Sequence, residues 1–481
     1  MFRRHKRRAI PILLAAVALA AGSVAGEQKE PAKLPPEIES AFVIAMAAPP
    51  EIAASALLRL NTHVAGQTLR RDLLEMAFHL AAKAQYPIQL ISFPGIEADT
   101  RTGSLGRALQ LKLDALSLES RAVQDMIAVD PGRARELFGA IARPALPVLS
   151  CEASLLPDVS PYFDALVAVT QGAFSPQERT QGEHLAFAAA ALSRASAIAE
   201  FGLAGYTLAS LDLPQQQFDP ALRGFASKLA SAPTDSRSFL LFSKSIDTAV
   251  GLLVARARQL GVSPETLIAS YRRFLLAQFH VARCIDSGTG ARMILPSSLF
   301  GEAIRGEKPP ISEEEMTPAF FDSGMKLEPY WATAEAERVN GGCLKLRQGL
   351  GGSTSSDAAS QVTDFLNSLE NWGSNSEASE EDYYHQKAIV YEVLLEVVPP
   401  GAPGDRVIDS FVSFLKSSNL QQRNAVEWYW HVRAAVNRVL PRHPDQAAKI
   451  LAAYRSSGNI VLMLEAMLDQ VAPLSPVATP H

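Results

Sequence analysis

The sequence predicts an all-α protein: an irregular helical array or α-solenoid of antiparallel helix pairs, with a compact multi-helix globule as the alternative. Three observations predict it. Apolar residues recur with a period near 3.6 along most of the 481 residues. Prolines follow Asp, Ser or Thr again and again at the places where those periodic runs begin. Runs with the two-residue alternation of a strand are few and isolated, as in Pro87 to Phe93 (PIQLISF).

The first 25 residues read as an address. Met1 to Arg8 (MFRRHKRR) is basic, Ala9 to Ala21 is apolar, and Ser23-Val24-Ala25 is a small-x-small triplet, the order of a secretory signal peptide. The apolar run is shorter than the ~18–20 residues of a membrane span. The expected product is periplasmic or secreted, soluble and without stable membrane insertion. The whole chain has 45 Lys+Arg against 50 Asp+Glu, a net charge of −5. The signal carries five of the basic residues and no acid, so removing it leaves 40 against 50, a net charge of −10. An acidic surface excludes a general nucleic-acid binder. The 48% hydrophobic content excludes a mainly disordered chain.

Residues 26–36 read as a flexible lead-in, and residues 37–285 as an N-terminal helical array. Gln67 to Gln85 has one stripe of Leu69, Leu73, Met76, Leu80 and Ala84, widened by Leu74, Ala77, Phe78 and Ala81. An apolar sector that wide calls for two packing neighbours. Ser117 to Ala128 and Pro131 to Ile141 form a helix pair, and Glu183 to Gly202 one Ala-dense helix suited to close approach. Asp130-Pro131, Ser160-Pro161, Ser175-Pro176, Asp219-Pro220, Ser263-Pro264 and Thr317-Pro318 each place a side-chain acceptor at a helix N-cap and Pro at the first helical position. Ser175 to Glu178 also completes a capping box.

Residues 286–380 read as an irregular linker region with short helices, rich in Gly and Ser near 349–380. Residues 381–472 read as a C-terminal helical domain with runs at Glu381 to Val398, Asp405 to Ser417, Gln421 to Leu440 and Pro444 to Val471. Residues 473–481 are a disordered tail. Export bears on the three cysteines. Cys284, at a helix exit, and Cys343, in a Gly-rich break, are the favoured disulfide, which would stabilise by ~4 kcal/mol. Cys151 is left over. The alternative is three buried thiols.

The chemistry search finds no P-loop, nucleophile elbow, zinc-protease helix, C-x-x-C or dinucleotide fingerprint. Ser413-x-x-Lys416 and Ser323-x-x-Lys326 lack the companion motif of penicillin-recognising enzymes. Glu381/His385, Glu427/His431 and His280/Cys284 are each spaced i,i+4 on a helix, which sets two side chains on one face. Two ligands fall short of a zinc site, so no metal and no cofactor is expected. Glu427 and His431, amid aromatics, are the candidate catalytic pair. Trp428, Tyr429, Trp430, Tyr383 and Tyr384 are candidate binding residues, because aromatics with polar handles stack on sugar or peptide chains; the competing reading is a helical core.

Glu39-Ser40-Ala41-Phe42 resembles the opening motif of lytic transglycosylases over four residues, but the downstream Gly-Leu-Met-Gln segment is absent. Glu39 then reads as a first-turn acid of a helix beginning after Pro36. The segments LRRDLLEMAFHLAAKAQ and SNLQQRNAVEWYWHVRAAVNRV resemble uncharacterised exported helical proteins of bacteria. That resemblance implies an exported all-helical product and no activity. The expectation is a helical-repeat binding or scaffolding module for a protein or glycan of the cell envelope. The alternative is a helical cell-envelope hydrolase or lyase working through Glu427 and His431.

Overall fold

The structure is a computed structural model that describes residues 34–92, 100–143, 145–149, 153–280, 283–285, 320–322, 333–350, 355–373 and 379–471. The expected signal peptide, Cys151, Thr317-Pro318, Ser323 with Lys326 and the tail 473–481 lie outside these residues.

The fold is all-α. In chain order the N-terminal helices are α1 (Pro36–Ala45), α2 (Pro50–Asn61), α3 (Gln67–Ala81), α4 (Arg101–Leu109), α5 (Ala115–Ile127), α6 (Pro131–Ala140), α7 (Ser160–Gly172) and α8 (Pro176–Thr180). They continue as α9 (Glu183–Leu192), α10 (Ile198–Ser210), α11 (Gln215–Ala230), α12 (Ser236–Gln259) and α13 (Glu265–His280). Then follow α14 (Ala334–Leu350), α15 (Ser355–Asn371), α16 (Glu380–Val397), α17 (Ala402–Ser417), α18 (Leu420–Arg423), α19 (Ala425–Val439), α20 (Pro444–Ser456) and α21 (Ile460–Val471). Strands are minor: β1 (Gln89–Ser92) pairs antiparallel with β2 (Leu155–Asp158), and β3 (Arg283–Ile285) pairs parallel with β4 (Phe320–Asp322). Among the described residues no helix is long and apolar enough to cross a membrane.

Two of the five described proline signals, Asp130-Pro131 and Ser175-Pro176, start helices for the expected reason, while the helix after Ser263-Pro264 begins one residue late, at Glu265. Asp130 Oδ1 accepts from Arg133 N at 3.0 Å, with Pro131 in the first turn. The Ser175 capping box is complete, Ser175 Oγ accepting from Glu178 N at 3.3 Å and Glu178 Oε2 from Ser175 N at 2.7 Å. Ser160-Pro161 is displaced by one: α7 already includes Ser160, whose N–H goes to Asp158 Oδ1 at 2.9 Å. Asp219-Pro220 is overturned. Pro220 lies inside α11, which begins after Pro214, and Asp219 instead pairs with Arg223 at 2.6 Å one turn on. Pro220 is exposed, so water serves the carbonyl it leaves without a helical donor.

The Ala-dense stretch is two helices, not one. Ser193 to Ala197 separates α9 from α10, and Glu200 turns back to accept from Ser196 N and Ala197 N at 2.8 and 3.0 Å. That carboxylate satisfies the open amides of the new helix start. Close approach does occur, between α10 and α12. A Cβ at Gly205 would meet Ala249 Cβ at 2.9 Å, and one at Gly202 would meet Ser245 Oγ at 2.6 Å.

The C-terminal helices are not a separate body. The described residues from 34 to 471 form one compact unit. Helices α1 and α2 pack on α21, and α4 packs on α19. Arg59 of α2 pairs with Glu465 of α21 at 3.4 Å, both buried, and Asn424 Nδ2 donates to Tyr86 Oη at 3.2 Å. Arg107 of α4 lies 4.8 Å over the Trp430 ring of α19. A solenoid repeat touches only its sequence neighbours; these pairings join the first and last described helices and match the globule alternative. Within 286–380, α14 and α15 are helices of 17 residues each rather than short ones.

The expected Cys284–Cys343 bridge is absent. Cys343 is a free thiol inside α14, on a buried stripe with Ala336, Val339 and Leu346. Helical spacing turns its sulfur into the core, where burial pushes the thiol up to about 11. The Gly-rich context that reads as a break is spanned by the helix because Val339, Cys343 and Leu346 fit one apolar face.

Candidate functional site

The clearest convergence of ionisable groups lies between α16 and α19. On α16, His385 and Glu392 are seven residues apart, two helical turns, and share a face. On α19, Glu427, His431 and Arg438 share a face by the same arithmetic. His385 meets Glu427 and His431, while Glu392, further along, meets His431 and Arg438. The two helices therefore run parallel, with α17 as the return between them.

The contacts form one line. Glu427 Oε2 is 2.6 Å from His385 Nε2. His385 Nδ1 is 2.7 Å from His431 Nε2. His431 Nδ1 is 2.6 Å from Glu392 Oε1. Both ends are held. Asn424 Nδ2 donates to Glu427 Oε1 at 2.6 Å, and Asn424 Oδ1 accepts from Glu427 N, capping α19. Arg438 Nε faces Glu392 Oε2 at 3.3 Å, and Arg438 and Arg442 both reach Glu396.

Geometry fixes the proton count. Each of the three short gaps needs one proton between its two heavy atoms. With both carboxylates ionised, three protons on four ring nitrogens make the histidine pair carry one positive charge. Two carboxylates, one shared imidazolium charge and Arg438 then sum to zero, as a buried network requires. Two neutral rings, each donating to its carboxylate, would leave nitrogen lone pairs facing at 2.7 Å. Burial holds His431 below its ordinary value.

The line is sealed. His385 and His431 are each 1% exposed and Glu392 is fully buried. Trp428 and Tyr391 are buried against α17, and Tyr454 Oη donates to the Val432 carbonyl at 2.9 Å. Among the described residues no group of three or more His, Cys, Asp or Glu is arranged to hold a metal ion, because these groups are strung out rather than turned to one point.

An open trough lies elsewhere. A cavity of about 540 Å³ sits between α11 and the turn from α12 to α13. Leu222, Val262 and Leu267 floor it; Gln215, Gln216, Asp219, Arg223, Ser263 and Thr266 supply polar groups at its walls.

The sequence-predicted residues are distributed unevenly. Glu427 and His431 both belong to the buried line, yet each turns to α16 rather than to the other. Glu381 is exposed at the helix start while His385 is buried one turn on, so the i,i+4 pair does not form one site. His280 ends α13 and Cys284 falls in β3, so they do not share a helix. Trp428, Tyr429 and Tyr383 are buried and present no ring to a ligand, while Trp430 and Tyr384 are half-buried. Tyr429 Oη donates to Glu465, and Tyr383 Oη to the Trp372 carbonyl. Ser413 and Lys416 are exposed on α17, and Glu39 is an exposed first-turn acid of α1. Sequence reasoning missed Glu392 and Arg438. The signal for Glu392 was an acid inside an otherwise apolar stretch, VYEVLL, two turns after a histidine.

Comparison with protein-family models, with curated proteins and with solved structures finds no match to this chain.

Proposed function

We propose that this protein is an exported, soluble binding or scaffolding module that engages a protein or glycan of the cell envelope. The observation that carries the reading is the contrast between the trough and the buried line. The trough is open, of ligand size, and combines an apolar floor with amide, hydroxyl, carboxylate and guanidinium groups, the makeup of a recognition site. The ionisable line, where acid–base chemistry would reside, is closed to a substrate. Export rests on the basic, apolar and small-residue order of residues 1–25.

The test is capture from an envelope fraction with the tagged full chain, compared with a Thr266→Trp variant that fills the trough. The expected result is cleavage near residue 25, recovery outside the cytoplasm, and a partner retained by the wild type and lost from the variant. Retention in the cytoplasm, or a partner bound equally by both chains, overturns it. The hydrolase or lyase reading through Glu427 and His431 requires the α16–α19 interface to open, and predicts that Glu427→Gln abolishes turnover of an envelope polymer.

A further inference from the structure

Every carboxylate of the line between α16 and α19 faces a basic group. Glu392 Oε1 accepts from His431 and Glu427 Oε1 from Asn424, while Glu427 Oε2 and Glu392 Oε2 are in ion-pair contact with His385 at 2.6 Å and Arg438 at 3.3 Å. The inner imidazole nitrogens share one proton over 2.7 Å. A fourth proton disrupts an existing contact wherever it sits in the line. On the second imidazole it sets two N–H groups against each other; on Glu427 it meets the Asn424 N–H; on Glu392 it meets Arg438. We propose that this line is an acid-release latch: it holds α16 against α19 with three protons, and uptake of a fourth parts the two helices.

The surroundings leave the line as the acid-sensitive element of this interface. On α16, Asp382 is paired with Arg101 of α4, Glu380 with Arg423 of α18 at 2.8 Å, and Glu396 with Arg438 and Arg442. Glu381 is exposed, and Lys387 Nζ donates to the Trp372 carbonyl at 2.8 Å. On α19, Arg433 lies 3.9 Å from Glu465 of α21, which also holds Arg59 of α2 and the Tyr429 hydroxyl. From α4, Arg107 covers Trp430; from the turn before β1, the Tyr86 hydroxyl meets Asn424; from α20, Tyr454 bonds to backbone. Asp382, Glu380, Glu396 and Glu465 each face a guanidinium group. The imidazole pair has none between its rings. Opening would expose the ring faces of both histidines, which pack on each other at neutral pH.

The test uses the full wild-type chain. Amide exchange of α16 and α19 is followed at pH 7.5 and pH 5, corrected for intrinsic rates, with α10 and α12 as the reference inside the same molecule. Histidine C2–H exchange on the same samples follows protonation of His385 and His431 against exposed His63 and His79. The expected result is a loss of protection in α16 and α19 at pH 5 at least tenfold larger than in α10 and α12. It should coincide with the protonation step of the buried histidines. The His385→Gln/His431→Gln chain, if folded, should show no such step. Protection that is flat across the pH range, protonation of both histidines with protection intact, or a step that survives in the double variant each overturns the latch. The wild-type measurements decide the matter even where the double variant does not fold.

Discussion

Two helix–helix interfaces of this protein are built on opposite principles. At α10–α12, Gly202 and Gly205 let the helices approach until Ser245 and Ala249 fill the space a side chain would take. At α16–α19, two histidines, two glutamates and an arginine occupy the seam and hold it with hydrogen bonds and ion pairs of 2.6–3.3 Å. The first is close packing, non-directional and without titrating atoms. The second stands only while its proton count is right. An interface of the first kind is expected to be permanent under all conditions that leave the chain folded. The second has conditions built into it.

The largest break in that comparison should come from Glu392→Ala. It leaves His431 buried without its carboxylate and half-buried Arg438 with Glu396 alone, at an expected cost of about 3 kcal/mol in urea unfolding at pH 7.5. A loss below about 1 kcal/mol would mean the line adds nothing to the seam. Gly205→Ala should cost about 1–3 kcal/mol by overpacking against Ala249 and Phe225. Combining it with Ala249→Gly should cost less than the two single changes added together. Unlike changes at α16–α19, this loss should be the same at pH 5 and pH 7.5.

The pH sign follows from His431. Burial holds its folded value below the ordinary 6.5, so the unfolded chain binds more protons as pH falls through 6.5. The contribution of His431 taken by itself is present above 6.5 and is lost as pH drops toward its folded value. Glu119 of α5 runs the other way. It is buried, and desolvation with Asp114 nearby pushes it up to about 7 from 4.5. The folded chain binds more protons there, so stability falls as pH rises from 4.5 to 7. Glu119→Gln should therefore gain about 1–2 kcal/mol at pH 8 and nothing at pH 4.5, read from paired urea titrations. The smallest effect is chemical: Cys343 in the folded protein should resist iodoacetamide at pH 7.5 and react only on unfolding. Recovery of Cys343 in a disulfide-linked peptide would contradict its place in the core.

Local order was legible where one side chain acts on adjacent backbone. Asp130, Ser175 and the periodic run at α3 stand where spacing places them, though the buried face of α3 centres on Leu73, Leu74, Ala77 and Phe78. The break between α20 and α21 was equally local and went unread. Gly458 adopts φ +73° and Asn459 caps α21 by accepting from Val461 N at 3.0 Å. That Ser-Gly-Asn stop signal lay inside an apolar run that reads as one helix. Half of the buried line was legible too, because i,i+4 spacing flags Glu427 with His431. It assigned the wrong partner, since two residues on one helix reveal a shared face and not what packs against it.

By itself, the sequence determined the helical class, most helix starts and the charge sign of the chain, because propensity, capping and periodicity act within a few residues. Tertiary structure alone decided that α21 seats on α1 and α2, that Cys343 is sealed rather than bridged, and that His385 and Glu392 complete what Glu427 and His431 began. Those outcomes depend on which faces meet across hundreds of residues, and on desolvation, which assigns protons only after the faces have met.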